Sequence, residues 1–328
     1  MKHFKTAPAN NFISHADIGS QNEKLLSDCT LCPRKCHVNR LLGEKGYCGQ
    51  GAHITAARAA LHMWEEPCIS GTNGSGTVFF SGCNLKCFFC QNHEIALGTR
   101  GQTITIRQLV DIFLTLEHQG AHNINLVTPS HFIPQIAEAL QTAKSYGLSL
   151  PIVYNTGSYE TVEALQLLDG LVDIYLPDLK YHSPALSVRC CHAEDYFVQA
   201  AAAITEMFRQ VATPIFDSQT GLMKRGMIVR HLLLPGQTKD SKKILRYLHD
   251  TYGNHIYISI MNQYTPLSHT AGQPDFHRRI TAAEYNRVID FALRIGIENG
   301  FFQEGETACE SFIPPFDAQG LPTTPPVS

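Results

Sequence analysis

From residue 77 onward the chain alternates short apolar runs with longer amphipathic ones, and that alternation constrains its fold more than any other feature. Thr77 to Phe80, Asn123 to Val127, Pro151 to Tyr154, Leu171 to Leu176, Gly226 to Leu234 and His255 to Ile260 have the β-branched, aliphatic and aromatic content of strands. Between them, Ile104 to Gln119 places Leu109, Ile112, Phe113 and Leu116 at helical spacing. Phe132 to Tyr146, Tyr159 to Leu168, Ala193 to Val211, Ser241 to Tyr252 and Thr281 to Ile295 read as further helices, and Gly147, Gly170 and Gly296 supply stop signals. A strand–helix unit repeated about six times implies a parallel sheet with right-handed crossovers. Six units fall short of the eight in a closed barrel. The expected fold is therefore α/β: an open, partial (β/α)6 TIM-like barrel with an N-terminal cysteine-rich extension. The expected segments are 1–70 for the extension, 71–305 for the barrel, and 306–328 for a Pro-rich tail extended over the surface.

Cysteine placement says what such a container would hold. The chain has 11 cysteines in 328 residues, clustered toward its N-terminal third. Cys83, Cys87 and Cys90, spaced Cys-x3-Cys-x2-Cys, follow the first expected strand, where Ser81-Gly82 ends it. Three thiolates can hold three irons of a four-iron cubane and leave the fourth open, and an open position separates a reactive metal site from a structural one. A second group, Cys29, Cys32, Cys36 and Cys48, lies on Pro- and Gly-rich loops and suits a bound Zn²⁺ or an auxiliary iron–sulfur cluster, the alternative being free buried thiols. His37, beside Cys36, reads as a bystander. Cys68, Cys190, Cys191 and Cys309 have no assigned role; Cys190 and Cys191 read as the start of the long helix, and Cys68 as a small buried residue.

In a parallel α/β fold, function gathers on the loops after the strands' C-terminal ends. Those loops are polar here: Gln91-Asn92-His93 after the first strand, Thr128-Pro-Ser130-His131 after the second and Asn155-Thr156-Gly-Ser158 after the third. Asp178 and Lys180 follow the fourth, Arg230-His231 lie within the fifth, and Asn262-Gln-Tyr264 follow the sixth. Singly, Asn155, Asp178 and Asn262 could be caps or turn residues, and Arg230 an ion-pair partner of Asp178. Their recurrence at equivalent strand ends favours a site. His62, His118, His192 and His269 lack that placement and read as core or surface residues.

Cys83-x3-Cys87-x2-Cys90 at the end of the first strand of a partial barrel resembles the radical S-adenosylmethionine superfamily. Ser81-Gly-Cys-Asn-Leu-Lys-Cys-Phe-Phe-Cys-Gln-Asn92, Asp178-Leu-Lys180 and Val229-Arg-His-Leu-Leu-Leu-Pro-Gly236 resemble its pyruvate formate-lyase activating-enzyme branch. Trp64-Glu-Glu-Pro-Cys-Ile-Ser-Gly71, Glu206-Met-Phe-Arg-Gln210 and the cysteine-rich N-terminus resemble that branch's uncharacterised iron–sulfur relatives. The resemblance implies a [4Fe–4S] cluster on Cys83, Cys87 and Cys90. It also implies reductive cleavage of S-adenosylmethionine to a 5′-deoxyadenosyl radical for hydrogen abstraction, and a low-potential donor such as flavodoxin or ferredoxin. By motif position, Phe89, Gln91 and Asn92 border the adenosine, and Ser130, Asn155, Asp178, Lys180 and Arg230 lie near the cofactor, Lys180 or Arg230 facing its carboxylate. The chain departs from the family in three places. Val127-Thr-Pro-Ser-His131 stands where many members have Gly-Gly-Glu-Pro, Asn262-Gln-Tyr264 stands where activating enzymes often have a histidine, and no cysteine-rich insert follows Cys90.

The expected reaction is activation of a glycyl-radical enzyme or modification of another protein. The alternatives are a small-molecule substrate and a non-catalytic metal-binding or redox-sensing protein. A formal net charge of −3 gives no sign of a nucleic-acid binder, and the sequence shows neither a transmembrane run nor a secretory leader, so the expected location is cytoplasmic.

Overall fold

A computed structural model describes residues 22–267, 270, 273–303 and 314–323 of the chain. Its strands are β1 (Ile54–His62), β2 (Ser75–Phe80), β3 (Gln102–Ile104), β4 (Ile124–Val127), β5 (Ile152–Thr156), β6 (Ile174–Pro177), β7 (Ile215–Phe216), β8 (Met223–Leu232), β9 (Tyr257–Met261) and β10 (Gly300–Phe302). They form one sheet in the order β10-β9-β8-β6-β5-β4-β2-β1-β3, with β7 paired to β8. The six expected barrel strands are β2, β4, β5, β6, β8 and β9, all parallel to one another. The sheet ends on β10 and β3 and does not close, so the barrel is partial. Every residue of β2, β4, β5 and β6 is buried, which is why these runs read as continuously apolar rather than alternating.

The main helices are α1 (Ile106–His118), α2 (Ile133–Ser145), α3 (Val162–Gln166), α4 (Pro184–Cys191), α5 (Tyr196–Val211), α6 (Thr238–Tyr252) and α7 (Ala282–Arg294). α1 begins at Ile106 rather than Ile104 because Thr105 is its N-cap, in a reciprocal capping box with Gln108. Thr281 and Glu284 cap α7 in the same way. The helix expected from Ala193 to Val211 is α5, and a separate helix that the sequence reading did not give, α4, precedes it. Pro184 opens α4, and His192 at φ 54 ends it in the left-handed region. Cys190 and Cys191 therefore close a helix rather than begin one, which corrects the sequence reading.

Three strands extend the sheet beyond the six. β10 adds a parallel strand beside β9. β1, which falls inside the segment 1–70, lies antiparallel to β2, and β3 lies antiparallel to β1. The described part of the tail covers β1: Ala59 N donates to Gln319 O at 2.8 Å and Ala318 N to Ala57 O at 3.1 Å. Arg58 pairs with Asp317 at 2.8 Å, and Phe316 packs edge-on against Phe79 of β2. His269 and Cys309 lie outside the described residues. Among the described residues no helix is long and apolar enough to cross a membrane.

Candidate active site

The loop leaving β2 is held from several sides. Gly82 N donates to Ile95 O at 2.7 Å, Phe88 N to Cys190 O at 3.0 Å and Cys90 N to Cys87 O at 3.0 Å. Asn84 Nδ2 donates to Tyr159 O at 2.6 Å. Cys83, Cys87 and Cys90 line a cavity of about 260 Å³ at the mouth of the barrel. Leu85 N donates to Cys83 Sγ at 3.4 Å and Tyr181 Oη to Cys87 Sγ at 3.3 Å. Burial pushes the Cys90 thiol up to about 12 and also raises Cys83. Cys87 is instead lowered to about 7, first by a hydrogen bond from Cys191, then, against its burial, by Lys180 and Tyr181. Three neighbouring half-buried thiols do not ionise together on their own; a bound metal cluster would supply the missing positive charge. That requirement and the size of the cavity fit a cluster with further room beside it.

Charged groups meet at the floor of this cavity. Arg230 on β8 reaches Asp178 Oδ1 from Nε at 3.0 Å, Glu65 Oε2 from Nη1 at 3.1 Å and Asn155 Oδ1 from Nη2 at 2.5 Å. Lys180 Nζ holds Asp178 Oδ2 at 2.5 Å. Burial works against the Asp178 charge, but Lys180 and Arg230 outweigh it and hold the carboxyl below the usual range. Burial alone would lower Lys180; Asp178 and Cys87 reverse this and raise it. The strand ends set these positions, because Asp178 and Arg230 form a parallel β-bridge beyond the β6–β8 ladder. Tyr196 on α5 fixes the turn between: its hydroxyl receives Lys180 N at 3.0 Å and donates to Asp178 O at 2.8 Å.

On the other side, Ser130 Oγ donates to Glu160 Oε1 at 2.5 Å, and Thr156 Oγ1 donates to the same oxygen. Burial raises the pKa of Glu160. Phe89 packs edge-on against Tyr181 and Tyr264, and Gln91 Nε2 donates to Gln263 O at 3.2 Å, joining the first loop to the last.

Phe89, Gln91, Asn92, Ser130, Asn155, Asp178, Lys180 and Arg230 thus all line the same cavity as the three cysteines. Other sequence readings are corrected. His131 belongs to a second cavity, because its ring turns to the far side of the loop and Nε2 donates to Ser81 O at 2.7 Å. Asn262 is not among the lining residues, while Met261 and Gln263 beside it are. His62, read as a core or surface residue, lines the cavity because β1 runs along the mouth. Cys191, read as having no role, is a buried neighbour that helps hold the Cys87 thiol low, while its own Sγ donates to Ser187 O at 3.2 Å. Glu65 was missed altogether. It receives Arg230, Asn125 Nδ2 at 2.9 Å and Asn155 Nδ2 at 3.4 Å. The signal for it was a pair of acids, Glu65-Glu66, between Trp64 and Pro67.

Cys29, Cys32, Cys36 and Cys48 converge on the second cavity, of about 20 Å³. His37 is not among its lining residues; it pairs with Asp28 at 2.8 Å on the surface.

The chain is 26% identical over 283 residues to the uncharacterized protein MJ0674 of Methanocaldococcus jannaschii, covering 84% of this chain and 77% of that one. Among solved structures, methylornithine synthase (PylB) superposes with a TM-score of 0.50 at 15% identity, over 97% of this chain and 86% of that one, a likeness of fold alone. SuiB of Streptococcus suis, bound to its precursor peptide SuiA, gives a TM-score of 0.47 at 10% identity, over 68% of this chain. The present chain spans only about half of SuiB, 47% of its length. Residues 77–248, more than half of the chain, match the description of the Radical SAM superfamily. The chain belongs to the radical SAM superfamily, whose cofactors are a [4Fe–4S] cluster and S-adenosylmethionine.

Proposed function

We propose that this chain cleaves S-adenosylmethionine reductively and directs the resulting radical to a hydrogen atom on a protein substrate. The observation that carries the reading is the single cavity shared by Cys83, Cys87, Cys90, Phe89, Asp178, Lys180 and Arg230. The bound cofactors, reduced by a low-potential carrier such as flavodoxin or ferredoxin, supply one-electron scission of a sulfonium C–S bond and a 5′-deoxyadenosyl radical that abstracts hydrogen.

The chain's own residues bind and orient. Cys83, Cys87 and Cys90 hold the cluster and leave one iron free. Lys180 is the cation with donors to spare, since it is bound at one carboxylate oxygen while Arg230 is spent on Asp178, Glu65 and Asn155. Lys180 therefore takes the methionyl carboxylate, and Arg230 with Asp178 positions it. The hydroxyls of Ser130 and Thr156, backed by Glu160, face the methionyl amine in place of the missing Gly-Gly-Glu-Pro. Phe89, Gln91 and Asn92 border the adenosine.

The target is read as a protein from the size of the cavity and the resemblance of the motifs to activating enzymes. Enclosed sites for whole small molecules run to roughly 300–1,000 Å³. The 260 Å³ here must also receive the cofactors. A segment of a partner entering from outside, such as a backbone glycine of a glycyl-radical enzyme, needs less enclosed space than a free substrate does. The test is anaerobic turnover with dithionite and S-adenosylmethionine, with host extract split into macromolecular and small-molecule fractions. The expected result is 5′-deoxyadenosine formation stimulated by the macromolecular fraction, lost in Cys87→Ala. Stimulation by the small-molecule fraction alone would overturn the protein target, and no 5′-deoxyadenosine under any condition would overturn the enzyme.

A further inference from the structure

We infer that Cys29, Cys32, Cys36 and Cys48 hold a second iron–sulfur cluster that anchors the loop carrying Cys83. The four thiols line one cavity with Leu31, Arg40 and His131. Its volume, about 20 Å³, admits a water-sized body at the centre. Four sulfurs around a single zinc, each about 2.3 Å from it, would leave no such space. Cys83, Cys87 and Cys90 share that openness, and they belong to a family whose cysteines carry a cubane.

A further observation points to a negatively charged occupant. Arg40 is 1% exposed, and its hydrogen bonds go to carbonyl oxygens: Nη1 to His131 O at 2.7 Å, and Nε and Nη2 to Gly51 O at 3.0 and 2.5 Å. A buried guanidinium bound only to neutral acceptors lacks a counter-charge, and a four-thiolate cluster supplies one. His131, 4% exposed, spends Nε2 on Ser81 O and so ties this cavity to the backbone before Cys83.

The same residues join this site to the first. His131 holds Ser81 O, two residues before Cys83. Arg34 Nε donates to Asn84 O at 3.0 Å and Tyr47 Oη to Leu85 O at 3.4 Å. Gly82, at φ +92, sits so close that an added Cβ would meet Cys48 O at 2.8 Å. The backbone from Ser81 to Leu85 is thereby clamped onto the cysteine-rich loops.

The full-length Cys83→Ala/Cys87→Ala/Cys90→Ala variant, reconstituted anaerobically with iron and sulfide, tests the inference without the first cluster. Metal and sulfide analysis with Mössbauer spectroscopy should find about four irons and four sulfides per chain, lost when Cys32→Ser and Cys48→Ser are added. If the triple variant does not fold, the wild-type chain answers instead, with about eight irons expected rather than four. Stoichiometric zinc, or iron limited to the first cluster, overturns the inference. His131→Ala should alter the Mössbauer or EPR signature of the Cys83 cluster in the otherwise wild-type chain; an unchanged signature overturns the anchoring role.

Discussion

Lys180 and Arg230 grip the same carboxylate but differ in what each has left to offer. Arg230 also holds Glu65 and Asn155, so removing it leaves the buried Glu65 carboxylate without its cation and Asp178 to Lys180 alone. Breaking a buried pair in this way costs about 3–5 kcal/mol, and Arg230→Met should lose about that much in urea denaturation. Lys180→Met leaves Asp178 still paired to Arg230. It should unfold close to wild type yet weaken S-adenosylmethionine binding by about tenfold, the worth of one charge-assisted contact, as equilibrium dialysis would show. A Lys180→Met chain that binds normally would remove the carboxylate role. Tyr196→Phe loses bonds to Lys180 N and Asp178 O and should cost about 1–2 kcal/mol, read as a lower denaturation midpoint.

The loop after β2 depends on Gly82, whose φ of +92 and contact with Cys48 O exclude a side chain. Gly82→Ala should lower the iron retained after gel filtration as well as the denaturation midpoint; full iron at a lowered midpoint would separate the backbone strain from cluster loading. At this scale the sequence was readable where one pattern ruled. The strand before the cysteines is wholly buried, so its apolar run was unambiguous. β1 was not read as a strand because Ile-Thr-Ala-Ala-Arg-Ala-Ala-Leu-His is locally alanine-rich, and only pairing with β2, β3 and the tail makes it extended. His62 and Glu65 were missed for the same reason, since their place at the mouth follows from that pairing. The residues of the strand-end loops were legible because topology alone brings them together. Their partners were not, because Arg230 to Glu65 spans 165 positions.

Across the whole molecule, buried imidazoles set the response to acid. His62 is lowered to about 4 by burial and by Arg58, and burial also lowers His231. A histidine whose folded pKa lies below its unfolded value leaves stability complete above about pH 6.5 and loses it as pH falls toward the folded value, because the unfolded chain binds the extra proton. Stability should therefore decline between about pH 6.5 and 4, and less steeply in His62→Gln. Equal slopes for the two proteins in chemical denaturation would exclude His62 as a source. The overall architecture was the most legible level: the parallel order and open barrel follow from the alternation, while β10 was too short to announce itself.

Arg34 also bears on biosynthesis. Besides Asn84 O, its guanidinium donates to Cys191 O at 2.7 Å and to His192 O at 2.5 Å, while lying over the Tyr47 ring. These partners leave the ribosome some 157 residues after Arg34 itself. Chains fold from the N-terminus as they are made, yet the first four cysteines cannot reach their final setting until α4 has been synthesised and docked. Through that interval they are bare thiols, open to oxidation or to stray metals. Loading of the second cluster inferred above would thus belong to the end of maturation, and on that inference co-expression with an assembly system should matter more for this chain than for one whose ligands all follow its barrel.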